Sequence, residues 1–231
     1  MLFHAQAALL DIEGTLGSIA FVRDVLFPYA SERFDAFVAE RGSEPAVRAI
    51  LNAAAREAGV APGDDAATLR ALHDWSDRDE KVTPLKDLQG LIWADGFTSS
   101  GIRGHLYDDG VRALRRFRDA GVALYIYSSG SVAAQKLLFG HSVAGDLLPL
   151  FTGFFDTTIG NKRESGSYER ILAQIDRAPN ETIFFSDNAL ELDAALEAGI
   201  TTVQLARPQD GTVPSTRHTS VESFETIELH R

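Results

Sequence analysis

Short apolar runs that end on acids or hydroxyls, separated by segments of helical periodicity, dominate the pattern of this chain. Ala7–Leu10 runs into Asp11, Val122–Tyr127 into Ser128, and Thr182–Phe185 into Ser186 and Asp187; Thr202–Leu205 is a fourth apolar run. Runs this short and this continuously apolar read as strands buried on both faces. Between them the spacing predicts helices over Val111–Ala120, Val132–Phe139, Tyr168–Ile175 and Glu191–Ala198, with Gly121 and Gly199 closing the first and last. Strand and helix in alternation require crossover connections. The expected fold is therefore α/β: a Rossmann-like, doubly wound, mostly parallel sheet with helices on both faces.

One long interval breaks the alternation. From Leu16 to Gly104 the pattern is helical without a convincing strand, with periodic segments over Val22–Phe27, Ser31–Glu40, Pro45–Ala58, Ala66–Trp75 and Pro84–Ala94. Gly42 and Gly59 act as stops, and Thr83-Pro84 is a cap followed by proline in the first turn. The chain is accordingly read as an α/β core made of residues 1–16 and 105–231, with a helical cap, residues 17–104, inserted after the first strand. Hinge-like turns are expected near Gly14–Ser18 and over Gly96–Gly104, and the polar stretch Arg207–Arg231 is expected to be partly loose.

Composition narrows the function classes. The chain has 231 residues, 45% apolar and 24% charged, which is enough core-forming material to exclude global disorder. Its formal charge of −11 repels phosphate backbones and anionic lipid, and no local basic patch offsets it, so no nucleic-acid partner is expected. The longest stretch without Asp, Glu, Lys or Arg, Ala120–Gln135, holds three serines and is shorter than the ~20 apolar residues of a bilayer span. No membrane partner is expected. The first residues, MLFHAQAALLD, lack a basic segment and reach Asp11 early, so the expected location is cytoplasmic, and a monomer is expected. With no cysteine there is no disulfide and no thiolate metal site, and the six histidines show no zinc-type pairing.

In open parallel sheets, ligands bind outside the carboxyl ends of the strands. Four polar groups fall there. Asp11-Ile12-Glu13-Gly14-Thr15 places two acids two residues apart before a glycine that permits a sharp turn. Ser128-Ser129-Gly130-Ser131 offers hydroxyls and backbone before a helix N-terminus that can receive an anion. Lys162 lies in a Gly160-Asn161-Lys162 loop, and Ser186-Asp187 is followed by Glu191 in the next helix. Singly, each has an ordinary explanation: a capping acid, an N-cap serine, a solvated lysine, a first-turn glutamate favoured by the helix dipole. Together they form a set suited to phosphoryl transfer. Asp11 and Asp187 supply hard oxygens for Mg²⁺, and Lys162 offsets phosphate charge while Ser128 and nearby amides hold equatorial oxygens. Asp11 is then placed to attack phosphorus, with Glu13 as acid and base.

In their order, DIEGT, YSSGS, the Lys162 loop and FFSDNALELDAA resemble the four motifs of the haloacid dehalogenase-like phosphohydrolase superfamily, which implies a core of that type. Longer strings narrow the match. Asp11–Ala30, Thr83–Trp93, Tyr125–Phe151 and Phe155–Ile171 resemble the acireductone synthase, or enolase-phosphatase, family of methionine salvage. The resemblance implies a Mg²⁺-dependent bifunctional enzyme whose substrate is a small phosphorylated diketone, 2,3-diketo-5-methylthiopentyl 1-phosphate. This is enolised and then dephosphorylated to acireductone. It further implies that Asp11 is nucleophile and metal ligand, that Glu13 is the acid/base residue whose backbone carbonyl also meets Mg²⁺, and that Asp187 is the remaining metal ligand. Ser128, Ser129 and Lys162 match substrate or phosphate contacts. The enolisation base is not identified by spacing; it is Glu13 or a cap residue.

The chain departs from the family pattern at three places. Leu16-Gly17 follows Thr15 where threonines are usual, Tyr107-Asp108-Asp109-Gly110 stands where Tyr-Pro-Asp-Val is usual, and Asn188 replaces a more common apolar residue. Gly110 is expected to loosen its turn. Two competing readings are a generic sugar-phosphate or phosphoglycolate phosphatase on the same scaffold and a non-catalytic phospho-acceptor signalling module. The second has no use for a helical insertion over its site.

Overall fold

The computed structural model describes residues 1–99 and 101–231. It divides into two compact units: Met1–Ala20 with Arg103–Arg231, and Phe21–Ile102. In chain order the elements are β1 (Leu2–His4), β2 (Ala7–Leu10), α1 (Ile19–Phe21), a π-helical turn (Val22–Leu26), α2 (Phe27–Ser31), α3 (Phe34–Arg41), α4 (Pro45–Glu57), α5 (Asp65–Asp77) and α6 (Thr83–Ser99). They continue with α7 (Asp108–Asp119), β3 (Ala123–Tyr127), α8 (Val132–Gly140), β4 (Gly153–Phe155), α9 (Ser165–Ile175), β5 (Thr182–Ser186), α10 (Ala189–Glu197), β6 (Thr201–Leu205), β7 (Thr219–Val221) and β8 (Glu228–His230).

The first unit is built on a six-stranded sheet of order β4-β3-β2-β5-β6-β7, parallel at every pairing. β2 is central, and every one of its side chains is buried. Register carries the sheet's two faces: Leu9 lies opposite Tyr125 and Phe184, and Leu10 opposite Ile126 and Phe185. Because neighbouring residues of a strand point to opposite faces, Phe184 joins Leu9, Tyr127, Tyr168, Ile171 and Leu192 in one core layer. Phe185 points the other way and packs with Phe117 of α7 and Phe224, at ring separations of 6.0 and 5.3 Å.

Four expected strands and the four expected core helices are present, with ends displaced by up to three residues. The short strands β1, β4, β7 and β8 carry three residues each and offer no alternation to read. The C-terminal stretch is not loose. Arg207, Phe224, Ile227 and Leu229 are buried, and β8 pairs with β1 in a separate two-stranded sheet. Its apolar residues arrive singly among polar ones, which conceals a segment that packs. Gly110 does not loosen a turn either: it lies in the first turn of α7, where an added Cβ would stand 3.2 Å from Leu16 Cδ2. Two of the family departures, at Leu16 and at Gly110, thus meet in space.

The second unit is helical. Phe34, Val47, Leu51, Leu72, Trp75, Leu85, Leu88 and Ile92 form its core. The expected helix over Val22–Phe27 is largely the π-helical turn, and Trp93 Nε1 donates to the carbonyl of Leu26 at 2.8 Å. The stretch Gly96–Gly104, expected as a turn, is helix through Ser99, and Ser100 lies outside the described residues. Gly96 is buried there because a Cβ would fall 2.5 Å from Ile102 and 2.7 Å from Tyr29. Among the described residues no helix is long and apolar enough to cross a membrane.

One buried ion pair ties the first unit's C-terminal segment to α7. The Asp109 carboxylate accepts from Arg207 Nη2 at 3.0 Å, from Ser223 Oγ at 2.9 Å and from the Phe224 amide at 2.8 Å. Burial pushes this carboxyl up, but the Arg207 bond and the other two donors outweigh it and hold it below the usual range. A depressed carboxyl contributes stability above its unfolded pKa, and that contribution is lost as pH falls through the folded value. Asp109→Asn is therefore expected to cost roughly 3 kcal/mol at pH 7, because it leaves Arg207 buried without its counter-charge. In urea unfolding, the gap from the parent protein should close as pH drops below the ordinary carboxylate range.

Candidate active site

The site stands at the carboxyl ends of β2, β3 and β5. From β2 the chain order turns to β3 on one side and to β5 on the other, so it lies at a topological switch point. Asp11 follows β2 directly and is 6% exposed; its amide donates to the Phe185 carbonyl at 2.9 Å, which continues the ladder and fixes its backbone. Ile12 then closes a tight turn, its carbonyl accepting from Thr15, Leu16 and Gly17. Gly14 occupies the left-handed region (φ +70°), and a Cβ there would fall 2.5 Å from Asp187 Oδ2. No other residue admits both the conformation and the approach.

Lys162 is the charge at the centre. It is 6% exposed, and its Nζ lies 2.5 Å from Asp11 Oδ1 and 2.6 Å from Glu191 Oε2. The loop that carries it is held through four successive carbonyls. Arg170 Nε donates to Ile159 at 2.6 Å, Tyr127 OH to Gly160 at 2.9 Å, Ser167 Oγ to Asn161 at 2.7 Å and Tyr168 OH to Lys162 at 2.7 Å. Gly160 (φ +140°) is required because a Cβ would collide with Arg170 and Ser167. Burial, with the charges of Glu191 and Asp11 added, pushes the Tyr168 phenol up, so it stays protonated and remains a donor.

Ser186 bridges the acids. Its hydroxyl donates to Glu191 at 3.1 Å and reaches Asp11 Oδ2 at 3.5 Å, and it accepts from the Asn188 amide at 3.1 Å. Asn188 itself caps α10, its Oδ1 accepting from the Leu190 amide at 3.0 Å, which explains a polar residue where an apolar one is usual. Asp187 is half-buried; burial first, then the charges of Asp11 and Glu191, push its pKa up to about 7. For Lys162, burial lowers the pKa, but Asp11 and Glu191 prevail and raise it, so the ammonium is charged.

The structure joins Asp11 to Lys162 directly, and Asp187 is near enough to respond to the charge of Asp11. Ser128 is buried at the end of β3, its hydroxyl accepting from the Gly130 amide at 3.3 Å, whereas Ser129 is exposed. Glu13 is half-buried in the turn after β2 and its backbone pairs with Gly17. Glu191, read from the sequence as a first-turn acid, is buried and bonded to Lys162 and Ser186. Ser186 was noted with Asp187 at a strand end, whereas Tyr127 and Tyr168 were not singled out: Tyr127 ends β3, and Tyr168 lies within α9, where it has no local signal. Among the described residues no group of three or more His, Cys, Asp or Glu side chains forms a metal cage. Two carboxylates and a carbonyl remain as hard oxygen donors, the kind of partial set that Mg²⁺ completes with water and substrate oxygens.

Comparison with known proteins gives the family. The model of the family described as haloacid dehalogenase-like hydrolase matches residues 5–199, so the chain belongs to that class of hydrolases. It is 50% identical over 223 residues to the enolase-phosphatase E1 of Gluconacetobacter diazotrophicus, covering 96% of this chain and 92% of that one. To the enolase-phosphatase E1 of Azotobacter vinelandii it is 48% identical, covering 96% and 97%. Among solved structures, the UTR4 protein of Saccharomyces cerevisiae superposes with a TM-score of 0.81 at 35% identity, covering 96% of this chain and 99% of that one. Within its class, the chain belongs to the enolase-phosphatase E1 family and is a phosphatase-type enzyme.

Removing the central charge tests the electrostatic reading. In chelator, Lys162→Met leaves Asp11, Glu191 and Asp187 facing one another without a cation, and a loss of about 3–5 kcal/mol in denaturant unfolding is expected.

Proposed function

We propose that the protein converts 2,3-diketo-5-methylthiopentyl 1-phosphate to acireductone and phosphate through an aspartyl-phosphate on Asp11. The observation that carries this reading is the charge balance of the site. Asp11, Asp187 and Glu191 are three acids around the single ammonium of Lys162, so ionising all three leaves an excess of negative charge that a divalent cation would offset. The donor set of hard oxygens suits Mg²⁺. Asp11, Asp187 and the Glu13 carbonyl would hold it, and when bound it would neutralise phosphate charge and polarise the substrate carbonyl.

The chain's own residues perform the remaining steps. Lys162, charged and fixed by its loop, holds one Asp11 oxygen, and in this reading it also meets a phosphate oxygen. Ser128 and Ser129 take the equatorial oxygens, together with amides at the start of α8. Asp11 attacks phosphorus; its P–O bond forms as the bond to the leaving alkoxide breaks, and Glu13 protonates that alkoxide. Glu13 then takes a proton from the water that hydrolyses the acyl phosphate. Enolisation precedes these steps, with Glu13 or a residue of the helical insertion as base. We assign that insertion, residues 17–104, the role of a cap that excludes water. The enzyme is taken to act as a cytoplasmic monomer on this small phosphorylated diketone.

Asp11→Asn is expected to abolish phosphate release while the protein stays folded and binds Mg²⁺ more weakly. Following enol absorbance and phosphate together, with Mg²⁺ and then with chelator, tests the bifunctional claim. Phosphate without an enol intermediate, on a panel that includes sugar phosphates and phosphoglycolate, would favour the generic phosphatase. Mg²⁺ at about 100 times its Kd should stabilise the protein by about 2.7 kcal/mol, an increment that Asp187→Asn removes.

A further inference from the structure

We propose that Arg207 is a positioning residue for this chemistry: anchored on Asp109, its guanidinium grips the carbonyl of Thr15 and so fixes the turn that carries Glu13. This rests on the acid/base role given to Glu13 above. Arg207 is 2% exposed, and its Nε donates to the Thr15 carbonyl at 3.0 Å while Nη2 donates to Asp109 Oδ2 at 3.0 Å. Its guanidinium also lies 4.1 Å from the centroid of the Tyr107 ring.

The turn closes on itself through the Ile12 carbonyl, and the Arg207 grip ties it to the C-terminal segment. Thr15 is fully buried and its hydroxyl has no hydrogen-bond partner among the described residues; its amide bonds within the turn, to Ile12, so the carbonyl held by Arg207 is its polar attachment beyond the turn. The next carbonyl, of Leu16, accepts from the Tyr107 amide at 2.8 Å, and Tyr107 OH donates to Asp210 at 2.6 Å. Gly17 lies so close to the His105 carbonyl that a Cβ would stand 2.9 Å from it. Residues 15–17 are thus pinned to the segment 105–110 and to Arg207. On the other side Gly14 abuts Asp187, and the Gly14 amide donates to the Gly17 carbonyl at 2.8 Å. Glu13 sits between a strand end that the sheet fixes and a half-turn that Arg207 fixes.

Arginine is needed because one rigid fork must serve two acceptors at once, the backbone oxygen and the carboxylate. A lysine keeps the charge opposite Asp109 but offers a single point donor. A buried arginine held only for stability could be replaced by apolar packing, whereas this one spends a donor on the catalytic turn.

The test is a double-variant cycle on the phosphomonoester the protein turns over, with Arg207→Lys, Glu13→Gln and the two combined. Arg207→Lys should lower kcat about tenfold with KM within about twofold and raise amide exchange at residues 14–17. In the Glu13→Gln background the same change should cost less than about twofold, because a misplaced acid and an absent one are equivalent. Penalties that multiply across the cycle, or an unchanged kcat in Arg207→Lys, overturn the proposal while leaving Glu13 in its role. A Glu13→Gln variant as fast as the parent overturns both. If Arg207→Lys does not fold, the pair Arg207→Gln with Asp109→Asn removes both charges, keeps polar side chains at both positions and runs the same cycle.

Discussion

A buried ammonium between two carboxylates governs this site. Lys162 lies within 2.6 Å of both Asp11 and Glu191 in a region almost closed to water, where unpaired charge is costly. Each partner constrains the others. The lysine stays charged because the two acids outweigh its burial, and its ammonium is in turn the counter-charge that both acids share. The remaining acid, Asp187, makes no ion pair with the lysine, and burial first, then the charges of Asp11 and Glu191, raise its pKa.

Holding that ammonium in place requires a loop without freedom, and the fold supplies it from the sheet. Tyr127 ends β3 and Tyr168 rises from α9; both rings lie in the core layer beneath β2, and their hydroxyls hold the carbonyls of Gly160 and Lys162. The same core that stabilises the sheet therefore sets the height of Lys162 above Asp11. On the far face, Phe117, Phe185 and Phe224 pack α7 and the C-terminal segment, bringing Arg207 and Asp109 against the turn after β2. Catalytic geometry and stability share their contacts here, so substitutions in either layer should affect both.

The central strands were legible in the sequence because a parallel strand buried on both faces leaves an uninterrupted apolar run, and the residue that ends it is conspicuous. Asp11, Ser128 and Asp187 were placed at strand ends in this way, and they directly follow β2, β3 and β5. Three-residue strands such as β4 and β7 leave no such trace. Glu191 looked like a solvated first-turn acid, since nothing local distinguishes a glutamate that points to water from one that meets Lys162. Arg207 was invisible for a different reason: Thr15 and Asp109, its acceptors, lie 192 and 98 positions away along the chain. Leu16 and Gly110, which read as unrelated departures from a pattern, prove to be neighbours whose sizes match.

The central claim is that Asp11 becomes covalently phosphorylated. Rapid quenching in acid during the first turnover, followed by peptide mass measurement, addresses it directly. A phosphoryl group on the peptide that bears Asp11, appearing and decaying at least as fast as phosphate is released, is the expected result. A first turnover that releases phosphate without that adduct ever forming would contradict it.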